Sequence, residues 1–178
     1  MRTFPPLHFR SICTNAVRLL LSSVLAFGAL AHADVYDDVE RLIRNGQYER
    51  ASEQSDARLK TAPNDPQMRL LSSRILDAQG KTDEAQGVLE SLTLAFPELP
   101  EPHNNLAVLY ARQGRTTEAM ASLNKALLAR PDYTVALENL GDLHLGLALQ
   151  AYQRAAAVPE APAQIQRKAT AIAPLLQR

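Results

Sequence analysis

Histidines, cysteines and paired carboxylates are the groups from which a catalytic or metal site would be built. Beyond residue 33 the histidines are His103 and His144, 41 positions apart. Both fall on helix faces expected to pack inward, with no second ligand at metal spacing, so they read as core-edge residues. Asp37–Asp38 and Asp83–Glu84 stand near expected helix starts, where the positive end of the helix dipole accounts for them. There is no glycine-rich phosphate loop. Cys13, the single cysteine, precedes an apolar run near the N-terminus, which leaves the rest of the chain without thiol or disulfide chemistry. The pattern argues against an enzyme, and neither a metal nor another cofactor is expected.

Binding chemistry is better represented. Asn105 and Asn139 lie 34 positions apart. An amide side chain both donates and accepts, so it can pair with both backbone groups of an extended peptide. Arg74 and Arg112 would add fixed positive charge for an acidic side chain or a carboxy-terminus.

The elements that must position these residues repeat at the same interval. Gly46, Gly80 and Gly114 are spaced by 34, as are Ala51, Ala85 and Ala119, and Pro63, Pro97 and Pro131. Each marker has a job in a helix–turn–helix unit. The glycine ends a first helix, where a left-handed residue costs it little. The alanine lets two helices approach closely, and the proline stops the second helix. In the unit from Glu101 to Asp132, Leu106, Ala107 and Tyr110 share one face with His103. Ala119, Leu123, Ala126 and Leu127 form the matching face of the second helix. Thr116 or Thr117 is the expected cap of that helix. No stretch alternates convincingly at period two, so no sheet is expected.

These residues resemble the signature of the tetratricopeptide repeat family. Leu106, Ala107, Tyr110, Gly114, Ala119, Leu123, Ala126 and Pro131 fill the series in one unit, and Ser73, Leu76, Gly80, Ala85, Leu89 and Pro97 carry it in the unit before. Val39, Leu42, Gly46, Ala51 and Pro63 make a weaker, more polar first unit, as an end-capping repeat should be. The resemblance implies an all-α fold, a right-handed α-solenoid of helix–turn–helix units, and the residues after Pro131 add a long C-terminal capping helix. The units are placed at 34–65, 66–99 and 100–133, followed by a shortened unit at 134–158. A link and short helix at 159–178 follow, in which Ile165, Ile172, Leu175 and Leu176 could dock.

The shortened unit begins in register, with Leu137, Leu140, Gly141 and His144. The alanine due at 153 arrives early, in "ALQAYQRA" from Ala148, so five turn residues are missing. Read as one helix from roughly Thr134 to Val158, the segment puts Leu137, Leu140, Gly141, His144, Ala148, Ala151, Tyr152 and Ala155 on one face. A tight hairpin broken at Gly146 is the alternative.

Stacked helix pairs line a concave groove with their first helices. Asn105, Val108 and Arg112 lie opposite the packing face of one such helix, and Asn139 and Asp142 on the next. Tyr36, Glu40, Ile43 and Arg44 extend the groove at the N-terminal end, Tyr36 and Ile43 as its apolar members. In ligand-binding members of the family an asparagine at the Asn105 and Asn139 position hydrogen-bonds the peptide backbone. Asp37 and Leu71 hold that position in the other units, and the basic clamp of chaperone-tail-binding members is incomplete.

Residues 1–33 read as a cleaved secretory signal. Arg2, Arg10 and Arg18 precede the apolar run from Leu19 to Leu30, and Ala31-His32-Ala33 supplies a small-x-small site before Asp34. An uncleaved anchor is the alternative, but the run is shorter than the ~20 apolar residues that a spanning helix needs. The whole chain balances 19 basic against 19 acidic residues, so losing three arginines leaves an acidic excess. That disfavours nucleic-acid binding, which needs a basic patch, and no membrane insertion is expected after cleavage. The sequence thus suggests an exported, periplasmic adaptor that holds an extended segment of another envelope protein, as a monomer or weak homo-oligomer. The alternative is a structural, self-associating subunit of an envelope assembly that uses its convex face or terminal helix.

Overall fold

The computed structural model describes residues 35–176. The proposed signal segment, 1–33, lies outside these residues, as do Asp34 and the last two positions. Among the described residues there are eight α-helices and no strand. Helix α1 spans 35–44. It is followed by α2 (Tyr48–Thr61), α3 (Pro66–Ala78), α4 (Thr82–Ala95), α5 (Pro100–Arg112), α6 (Thr116–Ala129), α7 (Thr134–Ala156) and α8 (Ala163–Ile172). A single 3-10 turn, Ala173–Leu176, ends the described chain. No helix among these residues is long and apolar enough to cross a membrane.

The first three helix pairs close with one repeated device. Gly46, Gly80 and Gly114 take φ of 70°, 78° and 75°, the left-handed region that only glycine enters cheaply. Each then makes the same two backbone bonds. Gly114 N–H donates to Ala111 at 3.0 Å and Arg115 N–H to Tyr110 at 2.8 Å, and Gly46–Gln47 and Gly80–Lys81 repeat the pair. This geometry consumes carbonyls left over at the helix end and delivers the chain directly into the next helix. The residue before α6 is accordingly Arg115, without a side-chain cap, and Thr116 is already the first helical residue. The expected threonine cap is therefore not used, because the backbone turn sets the start of the helix.

Between pairs, a second device recurs at the same period. Asp65, Leu99 and Tyr133 donate their backbone N–H to Ala62, Phe96 and Arg130, at 3.1–3.2 Å. Asp65 adds a cap of its own. One carboxylate oxygen accepts from Met68 N–H at 3.1 Å; the other accepts from Tyr36 Oη at 2.6 Å and Arg58 Nε at 3.0 Å. One side chain thus ties α1, α2 and α3 together.

The core runs as three linked clusters along the stack. Val39, Leu42 and Ala51 meet Met68, Leu71 and Ile75. Ala85, Leu89 and Leu92 meet Leu106 and Leu109, and Ala107, Ala119, Leu123 and Ala126 meet Ala136. The periodic alanines are fully buried, with Ala51, Ala85 and Ala119 each at 0% exposure. A larger side chain there would force the paired helices apart.

Helix α7 runs unbroken for 23 residues, through Gly141 and Gly146. One period beyond Gly114 the chain has Ala148, for which the left-handed turn is costly. The face of α7 that packs on α5 and α6 is Ala136, Leu140 and Leu143. This corrects the stripe read from the sequence, since Leu137, Gly141 and His144 are exposed. The reason is that α8 returns only along the second half of α7, where Ala169 is buried and Lys168 lies over the Tyr152 ring at 5.3 Å. Ile165 and Ile172 are half-buried there, whereas Leu175 remains 47% exposed.

Burial works to raise the Asp65 carboxyl, but its bonds from Tyr36, Met68 and Arg58 outweigh this and hold it below the ordinary carboxylate value. A depressed carboxylate contributes stability above its unfolded value, and that contribution is lost as pH falls through the folded one. The wild-type chain should therefore lose urea resistance on acidification below about pH 4, where unfolded aspartate titrates. Asp65→Ala should lose about 2 kcal/mol at neutral pH and show a flatter acid limb.

Candidate functional site

The concave side is lined by α1, α3, α5 and α7, and residues 34 apart come into equivalent places on it. Three recesses follow one another along this side. The first, between α5 and α7, has a volume of about 550 Å³ and is floored by Val108, Ala111, Leu143 and Leu147, with Asn139 and Asp142 on its α7 wall. The second, about 180 Å³, lies between α3 and α5 and includes Arg74, Asp77 and Asn105. Val108 and Arg112 belong to both, so the recesses adjoin. The third lies toward α1, lined by Glu40, Leu70 and Leu71, and shares Arg74 with the second.

Six residues expected from the sequence therefore come together: Arg74, Asn105, Val108, Arg112, Asn139 and Asp142. Tyr36 and Ile43 do not join them. Both pack against the Val39–Ile75 core cluster and line none of these three recesses, and the Tyr36 hydroxyl is held by Asp65. Their apolar surface completes the first helix pair, which has no preceding unit among the described residues to pack on. Glu40 is the α1 residue that reaches the groove.

The two arginines are less free than the pattern suggested. Arg112 donates through Nη2 to both oxygens of Asp77, each at 2.6 Å, and Arg74 stands 3.5 Å from Glu40. Both pairs join one repeat to the next. Asp142, by contrast, is exposed and makes no ion pair among the described residues.

Asn104 is the residue that the sequence reading passed over. It is 4% exposed, and its amide joins both predicted asparagines. Its Oδ1 accepts from Asn139 Nδ2 at 2.8 Å, and its Nδ2 approaches Asn105 Oδ1 at 3.4 Å. The short bond from this buried amide fixes the orientation of the Asn139 amide, and Asn105 meets it at the longer distance. Among the described residues, Asn139 Oδ1 and Asn105 Nδ2 have no partner, one acceptor and one donor. The signal lay in a polar residue next to Asn105 on a face otherwise filled by His103, Leu106 and Ala107.

His103 is 5% exposed, as expected of a core-edge residue. Its Nε2 lies 3.2 Å from the Pro97 carbonyl and must donate to it. Burial drives its pKa below the ordinary histidine value, which favours the neutral ring. His144, expected to face inward, is exposed instead, on the side of α7 that no helix covers. Among the described residues no group of three or more His, Cys, Asp or Glu is placed to hold a metal ion.

Paired helices with a glycine turn every 34 residues, stacked about buried alanines, are the geometry of a known repeat. Residues 76–140 match the tetratricopeptide repeat family. That stretch carries the repeat, and the helix pair before it shares its glycine-turned geometry. Its fold is similar to a chain in a structure of Naa15/Naa10 bound to HypK-THB, at a TM-score of 0.59 and 23% identity over 68% of this chain. It is also similar to a tetratricopeptide repeat protein from Parabacteroides merdae, at a TM-score of 0.53 and 23% identity over 83% of this chain. The chain spans 18% of the first of these proteins and 60% of the second. No curated protein matches it.

Asn104→Ala should cost about 1–2 kcal/mol in urea unfolding, because Asn139 loses its buried acceptor. Arg112→Ala, which removes an exposed pair, should cost under about 1 kcal/mol.

Proposed function

We propose that this tetratricopeptide-repeat protein is a non-catalytic adaptor that holds an extended segment of another protein in its concave groove. The family supports protein–protein interaction as the general role. The observation that carries the finer reading is the pair of amide groups, Asn139 Oδ1 and Asn105 Nδ2, that have no partner among the described residues and stand above the apolar floor around Val108. An extended peptide offers N–H and C=O groups in alternation, which one acceptor and one donor can take. Its side chains would then fall alternately toward the Val108 floor and toward solvent. The HypK-THB in the Naa15/Naa10 structure is an example of a protein bound in an assembly with this fold.

The test is affinity capture from an extract of the expressing cells, with wild type and the Asn105→Ala, Val108→Gln double variant side by side. Asn139 is left in place because its loss would also unsettle Asn104. A protein retained by the wild type should bind the variant at least about tenfold more weakly, with both chains equally helical, since an amide contact and an apolar contact are lost together. Equal retention would overturn the groove reading.

A self-associating structural subunit is the second reading. It is favoured by Leu94 and Leu128, 84% and 85% exposed at equivalent places on α4 and α6, away from the groove. In that case capture would ignore the groove variant, and the sedimentation coefficient would rise with concentration.

Export to the periplasm, with an envelope protein as partner, is part of the proposal and is supported by the basic, apolar and small-x-small order of residues 1–33. Amino-terminal sequencing of the protein recovered from the envelope should begin at Asp34. A start at Met1 would overturn cleavage.

A further inference from the structure

The residues lining the three recesses include the carboxylates Glu40, Asp77, Glu101 and Asp142 and the cations Arg74 and Arg112. Glu40, Arg74, Val108 and Asp142 occupy one register position on α1, α3, α5 and α7, each 34 residues from the next. Arg74 faces Glu40, Arg112 is held by both oxygens of Asp77, and Glu101 at the edge of the third recess takes Arg130 at 2.9 Å. Arg74 and Arg112 are therefore each set against a carboxylate of the preceding repeat, while Arg130 is paired within its own. The Asp77 carboxylate offsets the charge of Arg112, so a ligand carboxylate arriving there meets a neutralised pair and a second carboxylate beside it. Acidic ligands are thus disfavoured at the two arginines that the sequence offered to them.

Asp142 is the exception. It lines the largest of the adjoining recesses on the concave side together with uncharged Asn139, Gly146 and Gln150, and the one cation there, Arg112, is committed to Asp77. Beside it lies the apolar floor, with Val108 and Leu147 still 39% and 38% exposed. A carboxylate with no ion pair among the described residues, next to an unfilled apolar recess, is complementary to a positive side chain next to an apolar one.

We infer that the groove selects extended segments that carry lysine or arginine over Asp142, next to an apolar side chain seated between α5 and α7. The inference rests on the groove-binding reading above and adds the class of ligand.

The experiment pans a displayed library of random linear peptides against protein purified from cells expressing the full-length gene. Wild type, Asp142→Asn, Asp142→Lys and the Asn105→Ala, Val108→Gln variant are compared. Asp142 is an exposed helical position, so its variants should keep their helicity. Wild type should enrich peptides with a basic residue next to an apolar one. The best such peptide, labelled and titrated, should lose about fivefold in affinity on Asp142→Asn and more on Asp142→Lys. Replacing its basic residue by glutamate should restore binding to Asp142→Lys, and added salt should weaken the wild-type complex. Peptides that need Asn105 and Val108 but are acidic, or indifferent to Asp142, would overturn this inference and leave the groove reading standing. Enrichment no greater than on the Asn105→Ala, Val108→Gln variant would overturn both.

Discussion

One backbone conformation, the left-handed residue after each first helix, is the constraint on which the rest of the molecule depends. At Gly46, Gly80 and Gly114 it reverses the chain within two residues and uses the helix's last carbonyls as acceptors. Nothing lies within 4 Å of where a Cβ would stand at any of the three, so glycine is required there for its torsion and not for its size. Because the turn is the same each time, the buried alanines meet the same partners each time. The helices stack in one direction, and residues a period apart arrive on one concave side.

The same constraint explains the end of the stack. Where the fourth turn is due, Ala148 continues the helix, and α7 grows to nearly twice the length of α5. The central helix α5 buries seven residues; α7 buries only Ala136. The two numbers measure what it means to be flanked on both sides and on one.

The repeat was legible because each of its markers encodes a local necessity: a torsion, a close approach, a missing amide donor. The long helix was legible as a shortfall of residues, though its packing face was not. The sequence stripe took Leu137 and His144 inward, whereas contact with α5 and α6 together selects Ala136, Leu140 and Leu143. The groove was legible at Asn105, Val108, Arg112, Asn139 and Asp142, which follow from periodicity. What stayed hidden were the pairings between repeats. Arg112 with Asp77 and Asn139 with Asn104 each join residues 35 apart, one period and one residue. A pattern read within one unit cannot display them, and they change the chemistry, turning a basic groove into a neutralised one with a single open carboxylate. Tyr36 shows the converse, an aromatic read as binding surface that the fold spends on tying α1 to Asp65.

The extra length of α7 has a mechanical consequence. At ~1.5 Å per residue, the ten residues by which it exceeds α5 carry its tip about 15 Å past the stack. Helix α8 rests mainly on that overhang, with Ala169 its one buried residue. In a nearest-neighbour array each joint opens at the cost of its own interface. The far end should therefore open at a lower cost than any of the glycine-turned pairs, because its interface is the smallest in buried side chains.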